Sequence, residues 1–197
     1  MDLDAGMLDK FPLDPGKCMM EKAKVLNSPF VILHHTGHFS QDRRDHWDWL
    51  IRFPDYFLAE LALRMQANQG DQFPGLLSFA SQIHPNRWSV GSSFWRLAPH
   101  RNKYLEYQGE VSGQRGAVKR VAWGELEWIF LDEFQLQFRL LRLGWLDDCP
   151  PNPWFVGSST NPSQGQYSLT LDVSSGDRTP VPWSSQAPDP GPFWRLS

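Results

Sequence analysis

The sequence predicts a mainly β protein, a compact β-barrel with one or two short helices and a disordered C-terminal tail. Short apolar runs follow one another closely, separated by turns rich in Gly and Pro, and only one stretch has the composition of a helix. The alternation is clearest where Phe134, Leu136, Phe138 and Leu140 are separated by polar residues. A period of two indicates a strand with one buried face and one wet face.

The length and composition predict one domain with a packed core. The chain has 197 residues, of which 41% are hydrophobic and 14% aromatic, including 10 Trp. We expect a leader at residues 1–28, the barrel domain at 29–173 and a Pro/Ser-rich tail at 174–197. Phe193 and Trp194 are costly to leave in water, which leaves open that the terminal PFWRLS docks on the domain.

The individual elements follow from local patterns. A helix is predicted at 54–70, because Pro54 suits a helix start, Gly70 suits its end, and the residues between them are rich in Ala, Leu and Glu. Strands are predicted at the β-rich or alternating runs, namely 30–35, 46–53, 75–82, 87–90, two pieces of 93–109 around a Pro99–His100 turn, 117–123, 124–132, 134–144 and 167–173.

Charge and cysteine content set the expected environment. The net charge of −3 gives no overall basic field of the kind that marks nucleic-acid binders. Cys18 and Cys149 are far apart, which favours a reducing compartment over a disulfide scaffold. The acidic N-terminus contains no apolar run, and no segment approaches the roughly 20 apolar residues that span a bilayer. We therefore expect a soluble, cytoplasmic protein with no membrane partner.

The first polar cluster lies within two apolar runs. Residues i and i+2 of a strand point to the same face, so His46 and Asp48 project together, away from Trp47 and Trp49. If FVILHH pairs with HWDWLIRF, one histidine of the first run meets them. Two imidazoles and a carboxylate suit a divalent transition metal with open coordination positions. The competing interpretations are a solvated strand face and a site that binds metal without chemistry.

A second polar cluster is HRNKY at 100–104. In an extended segment His100 and Tyr104 share a face, and an imidazole and a phenol could donate to phosphate oxygens or act as general acids. The alternative is a charged surface turn followed by a core tyrosine. The residues alone favour that alternative.

The order and spacing of these motifs resemble the 3′-phosphoesterase domain of bacterial DNA ligase D. The family pattern of F-V-[IV]-Q-K-H, R-L-H-Y-D-F-R and D-H-P-x-x-Y-x-x-F-E-G-x-I-P is similar to FVILHH (30–35), RDHWDWL (44–50) and PHRNKYLEYQGEV (99–111) in this chain. The similarity covers roughly residues 29 to 145. No polymerase or ligase module is present, so we expect a stand-alone member.

The resemblance implies a function and a set of site residues. The family has a compact β-barrel that binds a divalent metal, best served by manganese, and removes 3′-phosphates and 3′-ribonucleotides from DNA ends. It implies that His35, His46 and Asp48 are the metal ligands, and that His100 and Tyr104 contact the scissile phosphate.

Departures from the family concern its arginines. Leu50 stands where the family has an arginine two residues after the metal aspartate, and Arg52 is expected to replace it in part because it shares the strand face. Ser92 stands where the family has another arginine, and Arg96 lies on the same face of a regular strand. Arg44 matches the family, so Arg44 and Arg96 are the expected phosphate-binding arginines and Arg52 an expected catalytic one.

The departures leave a second function open. Residues 37–45 and 54–74 contain insertions relative to the family pattern. The chain is expected to act on DNA 3′ ends, with a separate ligase or polymerase as a further partner. The alternative is a non-catalytic module that binds DNA ends or a partner and retains a degenerate metal site, with exposed arginines and lysines following the phosphates.

Overall fold

The computed structural model describes residues 27–37, 45–55, 57–58, 70, 73–113, 115–131, 135–146, 166–171 and 193–196. Two 3-10 helices lie within these ranges, at Pro85–Arg87 and Asn102–Leu105. The same ranges contain nine strands, which are β1 (Asn27–Thr36), β2 (His46–Arg52), β3 (Leu76–Ser81), β4 (Ser93–His100), β5 (Gly109–Glu110), β6 (Ala117–Leu131), β7 (Gln135–Trp145), β8 (Gln166–Leu171) and β9 (Phe193–Leu196).

The strands form a nearly closed antiparallel barrel, which confirms the predicted fold class. Their order is β1-β2-β3-β4-β9-β8-β7-β6-β5, and β1 also pairs with β6. That pairing joins the two sides of the sheet, and closure of this kind removes unpaired strand edges. No helix within the described part of the chain is long and apolar enough to cross a membrane.

Both faces of β1 and β2 are covered. Phe30, Ile32 and Trp49 belong to the main core, which the barrel wall encloses. The alternate residues form a smaller cluster outside the wall, covered by the segment after β4; its buried members are Val31, Leu33, Leu50, Leu76, Tyr104, Val111 and Val118. Because each face packs against apolar groups, β1 and β2 are nearly continuous apolar runs in the sequence.

The two strands predicted at 117–123 and 124–132 are one strand, β6. Gly124 does not end it, because β6 continues its pairing with β1 and β7 across this position. A side chain at Gly124 would collide with the Phe30 ring and with the carbonyl of Arg142. The glycine therefore serves close packing within the barrel wall rather than a turn.

The strand predicted at 87–90 is wrong. Pro85–Arg87 form a 3-10 helix, and the backbone N–H of Asn86 donates to Nδ1 of His84. Trp88 follows, with 1% of its surface exposed, and its indole N–H donates to the carbonyl of Ile83 at 2.7 Å. Burial of the indole ring, whose N–H is hydrogen-bonded within the same segment, outweighs the strand preference of these residues.

The turn predicted at Pro99–His100 is also wrong. β4 runs through both residues, and the pairing with β3 is irregular at that point, since Leu76 faces His100 whereas Ser78 faces Leu97. A proline without an N–H is tolerated in a strand at such an irregularity. The chain turns after His100, in the 3-10 helix at Asn102–Leu105.

Most of the helix predicted at 54–70 lies outside the described residues. Asp55, Phe57 and Leu58 are helical, and the Leu58 N–H donates to the Pro54 carbonyl at 3.0 Å. These contacts agree with a helix that begins near Pro54.

The predicted leader and tail both need correction at the residues that join the sheet. Asn27 and Ser28 already belong to β1, and the Ser28 hydroxyl accepts a hydrogen bond from the Trp128 indole at 2.9 Å. At the other end, β9 lies between β4 and β8 and is part of the barrel wall. Burial of Trp194 against Phe79 explains why this segment docks. Residues 1–26 and 174–192 lie outside the described residues.

Replacing Trp194 tests the contribution of β9 to the fold. Trp194→Ala removes a ring that is 1% exposed, so we expect the free energy of unfolding to fall by about 3–5 kcal/mol. Urea denaturation measures the change. Val90→Ala is the control, because Val90 is 68% exposed and its truncation is expected to change stability by about 0.5 kcal/mol or less. An equally small effect of Trp194→Ala would show that β9 does not hold the barrel together.

Candidate metal centre

The pairing of β1 with β2 brings three potential metal ligands together. His35 lies directly opposite His46 in the antiparallel register, and Asp48 follows His46 on the same strand face. One donor atom from each of the three residues lies within 4.8 Å of the others. The structure therefore assembles the ligand set expected from the sequence.

The aspartate lies between the two imidazoles. The distance from Asp48 Oδ2 to His35 Nδ1 is 3.4 Å, and the distance from Asp48 Oδ1 to His46 Nε2 is 3.3 Å. Asp48 is 2% exposed and His46 is 6% exposed. Although Oδ1 is near His46, the alignment is not that of a hydrogen bond, and Oδ1 has no hydrogen-bond partner among the described residues. A buried carboxylate oxygen of this kind is suited to a cation.

The protonation of His35 leads to the same conclusion. Its Nε2 lies 2.7 Å from the carbonyl oxygen of Arg115, and a carbonyl only accepts, so Nε2 carries a proton. A neutral His35 therefore presents the Nδ1 lone pair to the carboxylate oxygen of Asp48. The Nδ1 lone pair and the Asp48 oxygen are both hydrogen-bond acceptors, so they repel each other unless a proton or a metal ion lies between them. Hydrogen bonding of the outer imidazole nitrogen to a backbone carbonyl is the usual arrangement around a metal-bound histidine.

The pKa of Asp48 is lowered although the residue is fully buried. Desolvation by burial raises the pKa of this carboxyl group. The neighbouring His35 and His46 imidazoles, together with the nearby His100, favour the ionised form, outweigh that effect and hold the pKa well below its usual value. The carboxylate is thus ionised at neutral pH and available as a ligand.

A cavity of about 210 Å³ opens beside the cluster. Its polar walls are His35, Asp48, His100, Arg101, Tyr104 and Arg115. Pockets that enclose whole drug-sized ligands have volumes of about 300–1,000 Å³. This cavity therefore suits an end group such as a phosphate better than an entire nucleotide.

His100 is held as a neutral imidazole at the cavity wall. Its Nδ1 donates to the carbonyl of Ala98 at 2.9 Å, and burial lowers its pKa, while the nearby Asp48 carboxylate opposes that shift. Within the described part of the chain, no residue forms a hydrogen bond with its Nε2. A neutral imidazole with one acceptor nitrogen is suited to take up a proton.

His100 and Tyr104 are neighbours, but not for the predicted reason. Tyr104 lies in the 3-10 helix at Asn102–Leu105 and not in an extended segment, and its ring centroid is 5.5 Å from that of His100. The ring is 7% exposed and belongs to the outer apolar cluster. Cationic groups of Arg101 and Lys103 lie 5.8 Å and 5.3 Å from its centroid. The segment is thus both a buried tyrosine and a cationic edge of the cavity.

Two of the predicted arginines, Arg52 and Arg96, lie away from the cluster. Arg52 Nη2 pairs with Asp55 at 3.1 Å, beyond the buried Leu50. Arg96 lies opposite Phe79 of the main core, whereas its neighbour Trp95 is on the side of His46. Arg96 therefore lies on the main-core face, opposite to His100, because the pairing irregularity between Leu97 and His100 interrupts the alternation of faces along β4. This placement does not fit phosphate binding. Arg44 lies outside the described residues.

His34, the chain neighbour of His35, lies away from the site. The His34 ring stacks on Trp47, with centroids 4.9 Å apart and planes within 6°, on the opposite side of β1 from His35. Trp47 also contacts His84, with ring centroids 5.0 Å apart. His38 lies outside the described residues.

The sequence reasoning missed Arg115. Its carbonyl binds His35 and its side chain lines the cavity, although 80 positions separate the two residues along the chain. The available signal was the Ser-Gly-Gln-Arg-Gly loop, in which Gly113 and Gly116 have φ values of 77° and 85°. Left-handed glycines on both sides of an arginine indicate a tight loop with a constrained carbonyl.

Comparison with known proteins adds no family to this description. No family model matches the chain, and no curated protein matches it. The resemblance to the phosphoesterase domain of DNA ligase D therefore rests on the motifs themselves and stays a prediction.

Metal titration tests the cluster. We expect manganese to raise the melting temperature, with a stabilisation of about 2.7 kcal/mol at a hundredfold excess over Kd. His46→Ala is expected to abolish the shift, because it removes one of only three ligands, and a chelator should reverse the shift in the unmutated protein. His84→Asn is the matched control, since this histidine lies outside the ligand cluster. Equal shifts in both variants would place the metal elsewhere.

The pKa of His100 predicts how stability depends on pH. Burial lowers this pKa below its ordinary value of 6.5, so the unfolded chain binds a proton that the folded chain does not. Stability of the metal-free protein should therefore be complete above pH 6.5 and fall as the pH is lowered through that value. Urea denaturation over this range measures the slope. His100→Gln should flatten it, and an unchanged slope would contradict this origin.

Proposed function

We propose that the protein is a divalent-metal-dependent phosphoesterase that removes a 3′-phosphate or a 3′-ribonucleotide from DNA ends. The observation that carries the proposal is the His35, His46 and Asp48 cluster, which lies at a small cavity shared with His100 and Tyr104. The motif resemblance suggests the same residues for the same chemistry. The cavity adds a site of the size expected for a terminal group.

The donor atoms fit a divalent transition metal. Imidazole nitrogen and carboxylate oxygen together suit manganese, zinc or iron, and manganese is the ion expected from the resemblance. When bound, such an ion supplies positive charge that stabilises the charge developing on phosphate oxygens. His35 and His46 would hold the ion with Asp48, whose unpartnered Oδ1 is available to it.

The remaining residues of the cavity have distinct roles in the proposed reaction. The neutral His100, fixed by its hydrogen bond to Ala98, accepts a proton through Nε2. Tyr104 donates its phenolic proton to a phosphate oxygen. Arg101 and Arg115 supply positive charge and guanidinium donors at the cavity wall, which suit an anion.

The product of this reaction suggests the partners. Removal of a 3′ blocking group leaves a 3′-hydroxyl end, which is the substrate of ligases and polymerases. We therefore propose DNA 3′ ends as the substrate, a separate ligase or polymerase as the consumer of the product, and the cytoplasm as the location.

A phosphate-release assay tests the function. On a primer-template with a 3′-phosphate, we expect manganese-stimulated release of phosphate that His46→Ala abolishes. His100→Gln should lower the rate by about 10²–10⁴-fold, the usual contribution of a general acid or base. Arg142→Ala is the control, because this exposed arginine pairs with Glu125 on another part of the barrel.

The opposite outcome is equally clear. No phosphate release at any manganese concentration, from folded protein that binds the metal, would contradict the phosphoesterase. Salt-sensitive binding to DNA ends without turnover would then identify the non-catalytic DNA-end module as the correct alternative.

A further inference from the structure

The loop between β5 and β6 packs tightly against the end of β1. The Val111 N–H donates to the Gly116 carbonyl at 2.7 Å and closes the loop. A side chain at Gly116 would collide with the carbonyl of Thr36, and its φ of 85° also favours glycine. The backbone on either side of Gly116 is therefore fixed relative to the strand that carries His35.

This fixed backbone sets the orientation of His35. The Arg115 carbonyl accepts from His35 Nε2 at 2.7 Å, which directs the other ring nitrogen toward Asp48. Outer contacts of this kind determine the tautomer and ring orientation of a metal-bound histidine, and their loss typically reduces metal affinity about 10–100-fold.

The side chain of the same residue lies in the cavity. Arg115 Nε donates to the Ser112 carbonyl at 2.9 Å, which restrains the guanidinium within the loop. In the described part of the chain, no residue forms a hydrogen bond with its two terminal nitrogens. The guanidinium lies close enough to His100 for its charge to contribute to the lowered pKa of that imidazole. A restrained guanidinium with free donors is suited to an oxyanion such as phosphate.

We propose that Arg115 is a positioning and anion-binding residue: its carbonyl orients His35 toward the metal, and its guanidinium binds the phosphate group. Arg115 thereby links the metal ion and the anion. An anion bound by the guanidinium strengthens metal binding, and a bound metal ion strengthens anion binding. The identification of the anion as a phosphate ester rests on the proposed function, whereas the link between anion and metal does not.

Calorimetry with manganese and inorganic phosphate tests the link. In the unmutated protein, phosphate at sub-millimolar concentration should raise manganese affinity at least about fivefold. Arg115→Ala keeps the backbone carbonyl, so the variant should still bind manganese, whereas most of the phosphate enhancement should be lost. Arg142→Ala should behave as the unmutated protein does. An enhancement that survives in Arg115→Ala would mean that phosphate contacts the metal alone, and would overturn the role of the guanidinium.

A second variant tests the carbonyl. Gly116→Ala forces the loop away from Thr36, and we expect manganese affinity without phosphate to fall about 10–100-fold. Nitrogen-15 NMR of the histidine rings reports the cause directly, because His35 should lose its protonated Nε2 signal. If this variant unfolds, the same spectrum of the unmutated protein decides, since a His35 protonated only on Nδ1 would overturn the assignment.

These measurements separate the inference from the proposed function. Phosphate enhancement that depends on Arg115, in a protein that releases no phosphate from DNA, supports the link and contradicts the phosphoesterase. Release of phosphate from DNA with unchanged kcat and KM in Arg115→Ala, together with an unchanged enhancement, supports the phosphoesterase and overturns the link.

Discussion

The antiparallel register of β1 against β2, which places His35 opposite His46, is the constraint on which the candidate site depends. A slip of one residue would turn the ligands of one strand toward the main core. The register is fixed because both faces of the strands are buried, with Trp49 in the main core and Leu50 in the outer cluster. The geometry of the metal centre is thus a consequence of apolar packing on both sides of one sheet.

The site is assembled from two parts with different properties. The barrel wall supplies the candidate metal ligands on paired strands, where the backbone is held by continuous hydrogen bonds. His100 ends β4, and the segment that covers the outer cluster supplies Tyr104 and the carbonyl of Arg115. Leu50 lies beneath this segment, in the same apolar cluster as Tyr104. Position 50 therefore brings no positive charge to the cavity. The positive charge at the cavity comes instead from Arg101 and Arg115, which belong to the covering segment.

Burial of the Asp48 carboxylate requires compensation. An ionised carboxylate in an apolar layer is costly, and here the compensation comes from two imidazoles and the nearby His100. Either protonated imidazoles or a bound cation can offset the negative charge of the carboxylate. Because protons compete with a metal ion for the histidines, a site of this kind binds metal best when its histidines are neutral. His35 and His46, which stabilise the buried carboxylate, are therefore also the residues that could hold a metal ion with it.

The sequence by itself determined most of the strands, the mainly β class and the common face of His46 and Asp48, because a period of two is a local property of an extended chain. Only the tertiary structure decided that His35 rather than His34 meets them, since strand register depends on packing between segments. It also placed Arg96 and His100 on opposite faces of β4, because the pairing irregularity lies between them. The contact of Arg115 with His35 arises from loop closure across 80 positions, which no local pattern encodes.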